Sequence, residues 1–301
     1  MKKLLIGCMT VVAMLTALTG CDQERVTYNG PGYLMFSDTL YSYAVQETNE
    51  IFNVPVAATA AVDYDRTLAV EVIDRESNAV EGMHYKLLSS SVTIKAGERT
   101  ASLQVQGMYD HMEITDSLGF ALRLVIPEAE QWNFYGTETK VVMQKILPFD
   151  INKFTGYCKL TSNYLSSDYY SKKADLRLIT SDVVEGKENT ILIHGLYYDG
   201  HDMEITFNRK DVLEPFVEME EQVCATTAEV FNTIHGDGKL RISQPAAYTA
   251  YYSTNENFIF QYVTLSVNEK DGSLFGILGT YVNIIEWISE AEAEKLKEQG
   301  Y

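Results

Sequence analysis

The residue types that most often carry chemistry are present, but their spacing assembles no known catalytic motif. Five histidines stand at His84, His111, His194, His201 and His235. Two histidines four apart on a helix bind zinc, with an intervening glutamate as general base in the His-Glu-x-x-His motif, and no pair here has that spacing. Asp199-Gly200-His201-Asp202 gathers possible ligands, yet an Asp-Gly pair ordinarily builds a turn. No serine elbow of the Gly-x-Ser-x-Gly type and no phosphate-cradling glycine loop occurs. Glycoside hydrolysis needs two facing carboxylates, and 42 acidic residues make chance pairs inevitable. A carboxylate-dependent glycan hydrolase is thus the remote reading. The residues call for no cofactor and no metal.

Tyrosine is the more telling residue. Tyr164, Tyr169, Tyr170, Tyr197, Tyr198, Tyr248, Tyr251 and Tyr252 crowd the second half of the chain. A tyrosine offers a flat apolar face with a polar tip, which suits sugar rings and peptide partners. The plainer role for each is packing at the surface or mouth of a sheet. Tyr248, Tyr251 and Tyr252, beside Ser253-Thr254-Asn255, are the candidate ligand-binding residues. Trp132 and Trp287 stand near expected strand ends and are read as core plugs.

The N-terminus has a different logic. Met1-Lys2-Lys3 is basic, Leu4 to Leu18 is uncharged and mostly apolar, and Leu18-Thr19-Gly20-Cys21 follows at once. That is the layout of a removed secretory signal. The apolar run falls short of the roughly 20 residues a membrane-spanning helix requires. The four residues ending at Cys21 resemble the bacterial lipobox. The resemblance implies cleavage before Cys21, a thioether-linked diacylglycerol on its sulfur and acylation of its amine. Each buried methylene contributes about 0.8 kcal/mol, and stable anchoring generally takes more than one chain. The expected membrane partner is therefore reached through lipid at Cys21. Asp22-Gln23-Glu24 resembles two different sorting signals: inner-membrane retention in enteric bacteria, or surface export in Bacteroidetes.

With Cys8 in the signal and Cys21 lipidated, Cys158 and Cys224 remain. In an oxidising envelope they are either a disulfide, worth about 4 kcal/mol in the chain-entropy model, or two separate buried thiols. The formal charge is −18, and loss of Lys2 and Lys3 with the signal makes the mature chain more acidic still. Such a field disfavours nucleic acid and anionic membrane surfaces as partners.

The elements that must position these residues are strands. Leu68, Val70 and Val72 alternate with Ala69 and Glu71, and Ala101, Leu103 and Val105 alternate with Ser102, Gln104 and Gln106. Phe120, Leu122, Leu124 and Ile126 form a third set. A period of two with one apolar face predicts antiparallel sheets, and turn residues at Ser77-Asn78 and Ala96-Gly97-Glu98 predict a sandwich. Ile146-Leu147-Pro148-Phe149-Asp150 interrupts the pattern, because proline cannot donate to a ladder. Beyond it, Ile191 and Ile193, then Met203, Ile205 and Phe207, restore the alternation. Ile259 to Val267 and Leu274 to Ile288 read as a long hairpin around Asp271-Gly272, and such a meander closes or nearly closes into a barrel. Asp211 to Thr233 is expected to hold a short helix or loop. Ser289-Glu290-Ala291-Glu292 is a capping box that opens a short terminal helix.

Ala79-Val80-Glu81-Gly82-Met83-His84-Tyr85, followed by Val92-Thr93-Ile94-Lys95-Ala96-Gly97-Glu98 and the strand Ala101 to Val105, resembles the Calx-β sandwich over residues from about 35 to 127. That family's acidic calcium ligands match poorly. His84 stands where the family has Asp, and Asp110-His111 replaces a pair of aspartates. Glu47, Asp110 and Glu113 form a depleted set for an ion that wants six to eight oxygens, so the resemblance implies a structural sandwich without metal. Phe154-Thr155-Gly156-Tyr157, the run Asn189 to Leu196 and the long hairpin resemble an uncharacterised β-rich domain of Bacteroidetes lipoproteins. That likeness implies a lipocalin-like barrel and no activity.

The reading is an all-β chain. Residues 1–20 are a signal, 21–32 a tether, 33–147 a Calx-β-like antiparallel sandwich and 148–301 an antiparallel β-barrel-like domain with a C-terminal helix. The expected function is an outer-membrane lipoprotein, facing the cell surface or the periplasm, that binds a glycan or an envelope protein with the sandwich as spacer. A structural or adhesion role without a small ligand is the alternative, and an enzyme is the less favoured one.

Overall fold

The computed structural model describes residues 28, 30–132, 136–170 and 172–301. The signal and Cys21 lie outside the described residues. Among the described residues no helix is long and apolar enough to cross a membrane.

Nine strands form the N-terminal half: β1 (Leu34–Phe36), β2 (Leu40–Val45), β3 (Ile51–Ala58), β4 (Arg66–Val72), β5 (Tyr85–Leu87), β6 (Ser91–Ile94), β7 (Thr100–Gly107), β8 (Leu118–Val125) and β9 (Glu138–Lys145). They build two sheets, ordered β1-β3-β7-β5 and β2-β9-β8-β4-β6. The predicted alternation fixes which residues meet between the sheets: Val54, Val56, Leu68, Val70, Leu103, Val105, Leu122 and Leu124 are buried. Tyr85 stacks on Phe120 with centroids 3.9 Å apart. One detail departs from the antiparallel expectation, since β2 runs parallel to β9. The chain leaves β1 in one sheet and enters β2 in the other, so β2 docks beside β9 without a hairpin. The turn expected at Ala96-Gly97-Glu98 is present, with Gly97 at φ +80°, a region that L side chains rarely occupy.

Ten further strands follow: β10 (Gly156–Ser162), β11 (Arg177–Val183), β12 (Thr190–His194), β13 (Met203–Asn208), β14 (Phe216–Glu218), β15 (Gln222–Thr226), β16 (Lys239–Ser243), β17 (Tyr251–Ser253), β18 (Phe258–Asn268) and β19 (Leu274–Trp287). The ring β18-β17-β14-β13-β12-β11-β10-β19 closes where β19 pairs back on β18, giving an eight-stranded barrel. β15 and β16 pair beside the far half of β18, at Thr264–Val267. The wall therefore splits between β14 and β15 and between β16 and β17. Two glutamine side chains span the split as a backbone ladder would. The Gln222 amide accepts from Glu204 N and donates to Glu204 O, both at 2.8 Å. That of Gln244 accepts from Met219 N and donates to Val217 O, both at 2.9 Å. Each amide carries the donor and the acceptor that an open strand edge lacks.

The segment 211–233, expected as a helix or loop, holds β14, β15 and a single helical turn α1 (Thr227–Phe231). Thr226 and Glu229 form a reciprocal capping box there. The terminal helix α2 (Glu290–Glu298) begins after Ser289, whose side chain accepts from Glu292 N. The barrel axis is a packed core. Phe154, Tyr164, Tyr197, Phe207, Val263 and Ile285 are all buried in one cluster, so the interior is filled by side chains. This cluster begins at Phe154 and that of the sandwich ends at Met143.

Candidate binding faces of the barrel

β17 is only three residues long, yet its pleat decides the fate of two adjacent tyrosines. Successive side chains of a strand point to opposite faces. Tyr251 pairs with Phe260 and faces out, whereas Tyr252 pairs with Ile259 and faces in. Tyr251 is 44% exposed and Tyr252 4%.

On the outer face the aromatic rings form a continuous set. Tyr251 stacks on Phe260 at 5.2 Å and 17°. Tyr248, itself 52% exposed, stacks on Tyr262 at 4.6 Å and 25°. Phe260 meets Tyr262 edge-on at 5.3 Å, and Phe258 meets Tyr251 edge-on at 6.0 Å. Register extends the row: Phe216 of β14 lies opposite Tyr251, Ile284 of β19 opposite Phe260, and Thr161 of β10 opposite Ile284. An ion pair between Lys159 and Glu286, 3.0 Å apart, borders it. Phe258, Phe260, Tyr262 and Phe216 were not singled out from sequence. The spacing of two of Phe258, Phe260 and Tyr262 in β18 is the available signal, but Ile259 within that run and Val263 just after it are also apolar and leave the face undecided.

On the inner face Tyr252 packs on Phe207 (4.9 Å), Phe149 (5.7 Å) and Phe154 (5.9 Å). It also borders a cleft of about 220 Å³ where the sandwich turn Gln46-Glu47-Thr48, the connector Ile146–Phe149 and the barrel rim at Arg209 come together. The Arg209 guanidinium lies 4.8 Å from the Phe149 ring centroid.

The remaining tyrosines divide in the same way. Tyr169 is exposed, while Tyr164, Tyr170 and Tyr197 are buried. The buried hydroxyls find partners: Tyr164 with the Tyr198 hydroxyl at 3.1 Å, Tyr170 donating to Tyr197 O at 3.1 Å, and Tyr197 donating to Asn283 Oδ1 at 2.7 Å. Burial pushes the Tyr164 and Tyr197 phenols far above their ordinary range. Trp287 packs on Phe154 and donates to Ser181 Oγ at 2.9 Å. Trp132 is half-buried and stacks on Tyr33 with centroids 6.1 Å apart.

A disulfide was one of the two readings of Cys158 and Cys224, and it is not formed. Both are free and buried. Cys158 sits on β10 between Ile179 and Trp287, whereas Cys224 Sγ contacts Leu240 O on β16 at 3.6 Å. Burial pushes each thiol up to about 12, which leaves both protonated and unreactive at neutral pH.

Asp199-Gly200-His201-Asp202 does not converge on one point. Asp199 pairs with Arg177, His201 Nε2 with Glu229 at 3.0 Å, and Asp202 with His194 Nδ1 at 3.1 Å. Asp182 holds the other nitrogen of His194 at 2.9 Å. These carboxylates, Asp182 first, raise the His194 pKa above its ordinary value. Of the depleted calcium set, Glu47, Asp110 and Glu113 are all exposed. Beside them the Lys145 ammonium lies 4.2 Å from the Tyr109 ring centroid and donates to Met112 O at 2.8 Å. Among the described residues no group of three or more His, Cys, Asp or Glu side chains comes together to hold a metal ion.

No curated protein matches the chain. Among solved structures, the apo-form Calx CBD1 domain shares 15% identity, covering 38% of this chain and 98% of that one at a TM-score of 0.32. A protein of unknown function from Bacteroides ovatus shares 12% identity over 88% of this chain and 93% of its own, at 0.34. A putative carbohydrate binding protein from Bacteroides ovatus shares 12% over 83% and 74%, at 0.31. Two family models each match more than half of the chain, a domain of unknown function (DUF4843) at residues 27–183 and another (DUF4984) at residues 134–299. The chain belongs to both families, DUF4843 through its N-terminal part and DUF4984 through its C-terminal part.

Proposed function

We propose that the protein is a cell-envelope lipoprotein of the Bacteroidetes type, acylated at Cys21, whose barrel binds a glycan on its outer aromatic row. The observation that carries this reading is the pair of flat, exposed stacks, Tyr251 on Phe260 and Tyr248 on Tyr262. A sugar ring presents a face of C–H bonds, and an aromatic ring offers the matching apolar plane with a hydroxyl at its edge. Aromatic surface grouped on one face, when the barrel interior is already filled, supports a recognition surface over a packing role. The sandwich then serves as a spacer between the anchor and the barrel. The acidic Asp22-Gln23-Glu24 after the anchor supports export to the cell surface.

The test pairs binding with anchoring. Wild type is expected to be retained on a glycan array, and a Tyr248→Ala/Tyr251→Ala double variant to lose that retention while keeping its melting temperature. Equal retention by the double variant, or none by wild type, would remove the glycan reading. Cys21→Ala is expected to release the protein into the soluble fraction, and protease shaving of intact cells reads which side it faces. An envelope protein captured through the same tyrosines would move the partner from glycan to protein.

A further inference from the structure

The cleft between the sandwich turn and the barrel rim is separate from the outer row, and its chemistry differs. We propose that it is a second binding site, for a sugar unit that carries a carboxylate, a hexuronate being the simplest. Three observations carry this. Phe149 and Tyr252 give the cleft aromatic walls, set edge to face 5.7 Å apart. Tyr252 is more than nine-tenths buried and lines the cleft, and its hydroxyl, which makes no hydrogen bond among the described residues, is not among the atoms sealed from solvent. A phenol with an unspent donor at the end of a buried ring is directed at a ligand or at water.

Charge gives the third. Among the described arginines Arg75, Arg123, Arg177 and Arg241 are each paired with a carboxylate, while Arg66, Arg99 and Arg209 are not, and of these three Arg209 alone lines the cleft. Arg209 has no carboxylate partner among the described residues and rests on the Phe149 ring. A guanidinium laid on an aromatic face keeps its planar fork of donors available, and that fork matches a carboxylate in two parallel hydrogen bonds. Glu47 and Gln46 also line the cleft. They accept from or bond to ring hydroxyls, and Glu47 repels a carboxylate turned its way, so the ligand's acid group must point to Arg209. A cleft of about 220 Å³ has room for a single sugar-sized ring.

The test is a chemical-shift titration of the full chain with D-glucuronate and, separately, with D-glucose. Saturable binding of glucuronate is expected, at least tenfold stronger than of glucose. Arg209→Gln, a change at an exposed side chain, is expected to weaken glucuronate at least tenfold with the fold unchanged. Tyr251→Ala is expected to leave it unaltered, which separates this site from the outer row: either can fail while the other stands. No saturation with glucuronate, equal binding of glucose, or unchanged binding by Arg209→Gln would each overturn the proposal.

Discussion

Tyr251 and Tyr252 are neighbours in one short strand, and the pleat sends them to opposite sides of the barrel wall. Outside, Tyr251 joins a row of rings that solvent reaches. Inside, Tyr252 joins Phe149, Phe154 and Phe207 in the core. The comparison teaches that tyrosine-rich composition in this chain is two signals superposed. One part of it closes the barrel and the other decorates it. The inner tyrosines also use their hydroxyls differently, since Tyr164, Tyr170 and Tyr197 are spent on internal partners.

The largest expected effect tests this division directly. Tyr252→Ala removes a ring from a filled core, where truncating a large aromatic costs about 3–5 kcal/mol. Tyr251→Ala, at an exposed position, is expected to stay within about 0.5 kcal/mol of wild type. Urea denaturation of the two variants measures both. Comparable losses would mean that the outer row is part of the structural core, and the contrast between the faces would disappear.

Much of the fold was legible because its signal has a period of two. Leu68, Val70, Leu103, Val105, Leu122 and Leu124 fall on the apolar face of their alternating runs and are buried together. The long hairpin was legible from Asp271-Gly272, where Gly272 takes φ +87°. The segment 211–233 was not, because β14 has three residues and β15 five, too short for alternation to stand out beside Pro215 and the alanines. The candidate site was half legible. Tyr248, Tyr251 and Tyr252 were found by type, but a run of adjacent tyrosines does not state which of them faces out. Arg209 carried no local signal at all, because its place in the cleft depends on Phe149 and Gln46, distant along the chain. The thiols were undecided for the same reason, since pairing depends on which strands lie side by side.

Inside the barrel the polar groups offer a finer test. Tyr197→Phe removes only the hydroxyl that donates to Asn283 Oδ1. Asn283 is fully buried and its Nδ2 has no partner among the described residues. Leaving its oxygen bare as well costs the desolvation of a buried acceptor, about 1–3 kcal/mol. Gln261, opposite Asn283 in register, sets the contrasting case. Its Oε1 is also unpartnered, and its Nε2 reaches only Met219 Sδ at 3.4 Å. Gln261→Met keeps the shape and deletes the unsatisfied acceptor, so stability is expected to change by less than about 1 kcal/mol, toward a gain. Thermal melts of the two variants check both signs. A loss above about 2 kcal/mol for Gln261→Met would mean that the amide is satisfied inside the barrel and that the interior is not purely a packed core.

The smallest effect lies on the outer wall, away from the aromatic row, at His194 between Asp182 and Asp202. The carboxylates raise its folded pKa above the ordinary histidine value of about 6.5. A raised folded pKa means that the folded state holds the proton more tightly than the unfolded chain does. The contribution is therefore fully present below about pH 6.5 and is lost as pH rises through the folded value. All three side chains are more than a third exposed, so solvent screens the pairs and the effect stays small. The melting temperature of wild type is expected to fall more between pH 5.5 and pH 8, both about one unit or more from that reference value, than that of His194→Gln. Parallel pH profiles for the two proteins would show that these ion pairs add nothing to the wall. The outer face would then contribute recognition surface alone, and the stability of the barrel would rest entirely on its filled interior.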